Sequence, residues 1–204
     1  MLSRLVSRPL FWLLALAVPF SWPLVWSLAT PLPPRLPVLG PVPEFELVDQ
    51  AGHPFGTREL RGKAWLAGFI FTRCPDQCPA ITRKMAEIQG RTRQLEPAFH
   101  LVSISVDPGF DTPERLDRYA RQYRASPRLW SFLTGPEPAI RETVVRGLKA
   151  SFDRDGAAPG GISHDAHLVL VDAEGRVRAA YDTSEPDAVD RAVRDVGLLV
   201  NRGG

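Results

Sequence analysis

An α/β fold, a mixed sheet covered by helices, is what the sequence predicts, and three observations carry it. Two near-continuous apolar runs, KAWLAGFIF ending at Phe71 and LVSISVD from Leu101 to Asp107, have the pattern of strands buried on both faces. The segments between and after them carry charge, with apolar residues recurring at helical spacing. The resulting order ββαβαβαββα, within about 155 residues, alternates strand and helix as an α/β sandwich does.

Taken in order, Glu44 to Phe55 reads as an opening hairpin that turns at Gln50 to His53. The run ending at Phe71 is the first buried strand, and the two cysteines follow it. Ala80 to Leu95 then places Ile81, Met85, Ile88 and Leu95 among charged residues, which predicts a helix. Leu101 to Asp107 is the second buried strand. Asp111, Thr112 and Pro113 ahead of ERLDRYARQY supply side chains suited to capping and a proline for the first turn, so a helix starts there. Leu129 to Leu133 is a third strand and Glu137 to Lys149 a helix. His167 to Asp182 is a hairpin turning at Glu174 and Gly175. Val189, Ala192, Val193, Val196 and Leu199 give Asp187 to Val200 the face of a closing amphipathic helix.

With 204 residues, 44% hydrophobic and 24% charged, the chain suits one domain of ordinary size and excludes collagen, low-complexity disorder and a multi-span membrane protein. A net charge of +2 and a pI near 8.7 would suggest a polyanionic partner if the charge lay on the domain. It lies elsewhere. Residues 1–43 hold Arg4, Arg8 and Arg35 and no acid, so the remainder carries −1, and no nucleic-acid partner is expected.

The arginines mark a membrane address. Arg4 and Arg8 precede LFWLLALAVPFSWPLVWSLA, residues 10–29, an uncharged run that as a helix spans roughly 30 Å, the thickness of the bilayer hydrocarbon. A cleaved signal peptide is the alternative, but only about six apolar residues separate Arg8 from the Ala15 and Ala17 pair, where roughly 7–15 are usual. Pro19 and Pro23 weaken the helix, though membrane helices tolerate proline. Residues 1–29 are therefore expected to form a cytoplasmic N-terminus and transmembrane anchor. The soluble part then sits outside the cytoplasm, on a bacterial periplasmic face or in a mitochondrial intermembrane space. TPLPPRLPVLGPVP, residues 30–43, carries six prolines and reads as a semi-rigid tether. Residues 44–204 are the expected domain.

Its chemistry is expected at GFIFTRCPDQCP, where a strand hands over to a helix. Cys74 and Cys78 are the only cysteines, so they act together or not at all. As a structural disulfide they would be a poor staple, because so short a loop restricts the unfolded chain by only about 2 kcal/mol. A helix N-terminus favours the thiolate, which suits a nucleophile or a metal ligand. Three residues separate the pair, where the dithiol oxidoreductase signature has two, so both a redox and a metal role stay open. Two soft thiolates suit copper(I), or zinc if further ligands arrive.

A third ligand would come from the four histidines. His164 is best placed, between the GAAPGG loop and the strand HLVLVD, on a segment able to move toward the cysteines. His167 would face the opposite way in an extended segment. His53, in the hairpin turn, and His100, at a strand start, are expected at the surface or an edge. With Met85 the only methionine after the initiator, a methionine-rich copper site is excluded.

GFIFTRCPDQCP, SISVDPGFDTPERLDRYA from Ser103 to Ala120, and SHDAHLVLVDAEGRV from Ser163 to Val177 resemble, in order, the three signature blocks of the Sco/SenC family. The resemblance runs from Glu44 to Val200. It implies a membrane-tethered, thioredoxin-like domain that binds copper through both motif cysteines and a histidine eight residues before the hairpin aspartate. Counting back from Asp172 gives His164, so the implied metal ligands are Cys74, Cys78 and His164. The implied role is a metallochaperone delivering copper to the binuclear copper centre of cytochrome c oxidase, with the oxidase copper-site subunit as partner.

The block around Asp107 and Asp111 reads as a local turn and helix cap. Arg73 and Asp165 depart from the usual residues; a positive charge beside Cys74 would favour thiolates, and Asp165 would orient the imidazole. The alternative is a thiol-disulfide oxidoreductase in which Cys74 and Cys78 form a catalytic dithiol that reduces the oxidase cysteines or acts in redox signalling. Disulfide-exchanging thioredoxin relatives carry a cis-proline on the segment entering the hairpin strand, and no proline lies between Ile162 and Asp172.

Overall fold

A computed structural model describes residues 12, 21, 22, 25, 26, 35–75, 77–154, 161–164 and 166–202, with the side chains of His164 and Arg202 also outside the description. The chain divides into two compact units, Met1–Arg35 and Leu36–Gly204. In the first, Trp12, Ser21, Trp22, Val25 and Trp26 are helical, and most of the expected anchor lies outside the described residues. Among the described residues no helix is long and apolar enough to cross a membrane.

The second unit is built on a mixed sheet. Its strands are β1 (Gly40–Pro41), β2 (Glu46–Asp49), β3 (Pro54–Gly56), β4 (Ala64–Ile70), β5 (Phe99–Ser105), β6 (Trp130–Thr134), β9 (His167–Val171) and β10 (Arg176–Asp182), in the spatial order β1-β10-β9-β4-β5-β6-β2-β3. A separate two-stranded ribbon pairs β7 (Phe152–Arg154) with β8 (Ile162–His164). The helices are α1 (Thr57–Leu60), α2 (Gln77–Thr92), α3 (Pro113–Gln122), α4 (Glu137–Arg141), which runs on as a π-helix over Glu142–Gly147, and α5 (Ala188–Arg202).

The apolar runs become the central strands, as their composition requires. Every residue of β4, β5 and β6 is buried, and the three strands run parallel with Leu66 opposite Leu101 and Leu101 opposite Trp130. A strand covered on both faces has no room for alternation, hence the unbroken hydrophobic sequence. Helix α2 packs on β4 and on α5 through Ile81, Met85 and Ile88. At Gly68 an added Cβ would lie 3.2 Å from Leu168 Cδ2 and 3.7 Å from both Ile81 and Met85, so the glycine lets α2 settle close against β4. The hairpins turn where expected, and Gly175 (φ 75°) takes the left-handed conformation that the β9–β10 turn needs.

Three differences from the sequence reading have physical causes. The proline-rich stretch ends earlier than residue 43: Gly40 and Pro41 pair with Val177 and Arg176, and buried Arg178 donates to the carbonyls of Leu36 and Pro37. Proline is tolerated there because β1 is an edge strand. His100 is 5% exposed and not at an edge, because β5 lies between β4 and β6; its Nε2 is 3.0 Å from Ser131 Oγ and its ring stacks on Phe55. Burial lowers its pKa to about 4. Finally, GAAPGG is flanked by the paired strands of a ribbon, one residue of each, Phe152 and Ile162, being buried in the core.

Candidate metal centre

Strand β4 delivers the chain to Phe71, and the loop after it folds back at once: the Cys74 N–H donates to the Phe71 carbonyl at 3.2 Å. Cys78 then falls in the first turn of α2. The Cys78 N–H donates to Cys74 Sγ at 3.3 Å, and Cys78 Sγ in turn accepts from the Phe71 N–H at 3.3 Å. The two sulfurs thus converge on one point at the end of the central strand. They are not joined by a disulfide. Cys74 retains 7% of its surface and Cys78 none, and burial pushes the Cys78 thiol pKa up. The Phe71 N–H aimed at Cys78 Sγ opposes that rise.

Two carboxylates hold this loop. Asp111, fully buried, accepts from the Thr72 N–H at 3.0 and 3.3 Å through its two oxygens, from the Thr72 hydroxyl, and from Ser105 Oγ at 2.6 Å. Burial raises its pKa, and the Ser105 and Thr72 hydrogen bonds oppose that rise. Asp107, also buried, accepts from Arg73 Nε at 2.6 Å, while its own N–H donates to Ser105 Oγ at 3.1 Å. The expected turn is present, with the Asp111 N–H donating to the Asp107 carbonyl at 2.9 Å. The cap belongs to Thr112 and Pro113, whereas the carboxylate of Asp111 faces the cysteine loop. Arg73 therefore meets a carboxylate directly, and its charge is balanced by Asp107.

Sequence reasoning missed Asp107 and Asp111 as positioning residues. The available signal was their place just past β5, the parallel neighbour of β4, which brings both strand ends to one edge of the sheet.

His164 is the last residue of β8, its Cα paired with that of Phe152; its imidazole, and all of Asp165, lie outside the described residues. Topology nevertheless fixes which end of the sheet its segment reaches. β9 runs antiparallel to β4 as its immediate neighbour, so the start of β9 lies at the end where β4 delivers the cysteines. Arg141 secures the ribbon: its guanidinium lies 4.6 Å over the Phe152 ring, donates to the Phe152 carbonyl at 3.5 Å and pairs with Asp153 at 3.7 Å. His53 is exposed in the hairpin turn, and half-buried His167 opens β9 opposite Asp182. Among the described residues no three His, Cys, Asp or Glu side chains cluster to hold a metal.

The SCO1/SenC family model matches residues 40–198. The chain belongs to the SCO1/SenC family. A SCO1 protein homolog of Bacillus subtilis is 32% identical over 156 residues, covering 76% of this chain and 80% of that one. The solved structure of BsSco, described as a member of the Sco family of cytochrome c oxidase assembly proteins with a disulfide switch, superimposes with a TM-score of 0.72 at 30% identity, over 81% of this chain and 97% of that one. Yeast Sco1 with copper bound gives 0.62 at 26% identity, over 79% and 90%. The Sco fold of this chain is thus the thioredoxin-like α/β sandwich, with Cys74 and Cys78 at its β4–α2 junction.

Proposed function

We propose that the protein is a membrane-tethered metallochaperone that takes up one copper ion on Cys74, Cys78 and His164 and delivers it to the binuclear copper centre of cytochrome c oxidase. The observation that carries this reading is the convergence of the two thiols, with the Cys78 N–H donating to Cys74 Sγ at 3.3 Å, at the sheet end that the His164 segment also reaches. Two sulfurs and one imidazole are a soft donor set that fits copper. Both thiols give up their protons as the ion binds, and the N–H groups of Phe71 and Cys78 hold the resulting sulfur charge. The names of the relatives, in which copper binding and oxidase assembly both appear, support the same reading.

Residues 10–29 serve as the anchor and the proline-rich segment to Arg35 as the tether, which puts the domain outside the cytoplasm. Deleting residues 1–35 is expected to move the protein from the membrane to the soluble fraction; a deletion variant that stays with the membrane overturns this part. For the metal, titration of the reduced full-length chain is expected to reach one copper per chain, with weaker binding and an altered spectrum in His164→Ala. An unchanged affinity and spectrum in that variant defeats the three-ligand arrangement.

The adjacency of two unjoined thiols also favours a second reading, a thiol-disulfide oxidoreductase acting on the oxidase copper-site cysteines. Incubation with an oxidised peptide of that copper site separates the two. Reduction of the peptide by the metal-free protein supports the oxidoreductase, and transfer of copper to the reduced peptide supports the metallochaperone.

A further inference from the structure

Beside the cysteine loop lies a cleft of about 380 Å³ whose lining includes Thr72 and Pro79 on the loop side and Phe110, Arg115, Arg118 and Tyr123 on the other. Among the described residues no carboxylate lines it. Arg115 lies 4.0 Å over the Phe110 ring and donates to the Phe110 carbonyl, which holds its guanidinium at the cleft wall. Arg73 lies over the same ring at 5.2 Å.

The charge balance here differs from that of the rest of α3. One turn further on, Arg121 pairs with Asp117, but Arg115 and Arg118 form no ion pair among the described residues. Among the described residues the nearby acids are otherwise engaged: Asp107 with Arg73, Asp111 with Thr72 and Ser105, and Glu114 with Thr112 and, more weakly, Arg118. A domain that carries −1 overall thus places two arginines that form no ion pair among the described residues, Arg115 and Arg118, beside its cysteine loop.

We infer that this cleft docks an acidic peptide segment of the protein that exchanges copper with Cys74 and Cys78. The inference rests on the reading of those cysteines as the point of exchange. The cleft is several times the size of an inorganic anion, and half-buried Phe110 and Tyr123 give apolar surface that a peptide covers and a phosphate does not. Arginines in such a setting steer an acidic partner and fix its register more than they add raw affinity. Thr72 and Pro79 flank the cysteines in sequence, so a segment lying in the cleft comes up against the cysteine loop, whose Cys74 keeps some exposure.

The test uses the reduced full-length chain and a fluorescein-labelled peptide of alternating aspartate and glycine, with its asparagine counterpart. The aspartate peptide is expected to bind about tenfold or more tightly than the asparagine one at low ionic strength, an advantage that shrinks as salt screens it. Amide shifts are expected at Thr72 and Tyr123. Arg118→Glu, and R115E/R118E more completely, remove the advantage, whereas Arg121→Glu retains it. Equal binding of the two peptides, or charge reversal without effect, overturns the proposal. So does preferential binding of anionic phosphatidylglycerol vesicles that the aspartate peptide does not displace, which assigns the cleft to lipid headgroups. Copper titration of Arg118→Glu keeps the two readings apart. Normal copper uptake with lost peptide binding supports the docking site, whereas a wild-type chain that takes up no copper defeats the metallochaperone reading whatever the peptide does.

Discussion

The cysteine loop and the ribbon that ends at His164 reach the same end of the sheet but are held by different means. The loop is fastened from beneath by buried carboxylates, Asp107 and Asp111, which accept hydrogen bonds from Thr72, Arg73 and Ser105. In a low-dielectric setting such bonds are strong, and removing one partner is costly. The ribbon packs Phe152 and Ile162 into the core, but its polar attachments are at the surface: Arg141 with Asp153, and Arg154 with Glu137. Exposed ion pairs contribute roughly 0–1 kcal/mol each. The comparison teaches that the fold itself holds the two thiols in place through buried hydrogen bonds, whereas the segment carrying His164 is tied by weaker polar contacts at the surface.

The most severe way to break the contrast is at the sulfurs. Cys74→Ser or Cys78→Ser is expected to weaken copper binding by more than about 100-fold, beyond the 10- to 100-fold typical of groups that only orient a ligand. Copper competition with a chelator of known affinity measures it.

Next in size is Asp111→Ala, which strips the Thr72 N–H, the Thr72 hydroxyl and Ser105 of their shared acceptor. A loss of about 2–4 kcal/mol in urea unfolding of the metal-free protein is expected. Copper affinity should fall about 10- to 100-fold although both thiols remain. An Asp111→Ala protein with wild-type copper affinity would show that the loop needs no such support.

Acidification probes a region at the far end of the sheet. His100 is held neutral by burial, with a folded pKa of about 4 against an ordinary 6.5. The unfolded chain therefore takes up the proton first. The stability that His100 confers is complete above pH 6.5 and is lost as pH falls toward 4, about 2 kcal/mol of it by pH 5. Urea midpoints across this range, compared with those of His100→Gln, isolate the contribution, which should leave the cysteine loop unaffected.

The smallest effect is expected at the ribbon. Arg141→Ala removes the contact over Phe152 and the pair with Asp153, and should cost less than about 1 kcal/mol. It should also weaken copper binding by less than about tenfold. An effect as large as that of Asp111→Ala would erase the distinction between the two regions.

Much of the fold was legible because its signals are local. Unbroken apolar runs specify β4 and β5, and helical spacing specifies α2 and α5, whatever surrounds them. The pairing of Cys74 with Cys78 was legible for the same reason, four positions being within one turn of chain. The ribbon β7–β8 was not, since its strands are three residues long and show no period over which a pattern could repeat. Nor was the burial of His100, because a polar residue at a strand start reads as an edge until the neighbours β4 and β6 are known. The charge of Arg73 was visible, but its partner Asp107 lies 34 positions away.

By itself, then, the sequence determined the central strands and the longer helices, the dithiol and the location of the positive charge in the N-terminal segment, all properties of neighbours along the chain. Only the tertiary structure decided what holds the cysteine loop, where residues 36–41 join the sheet, and which arginines line the cleft beside that loop. Each of those depends on groups dozens of residues apart, and their distance is set by which strand lies next to which.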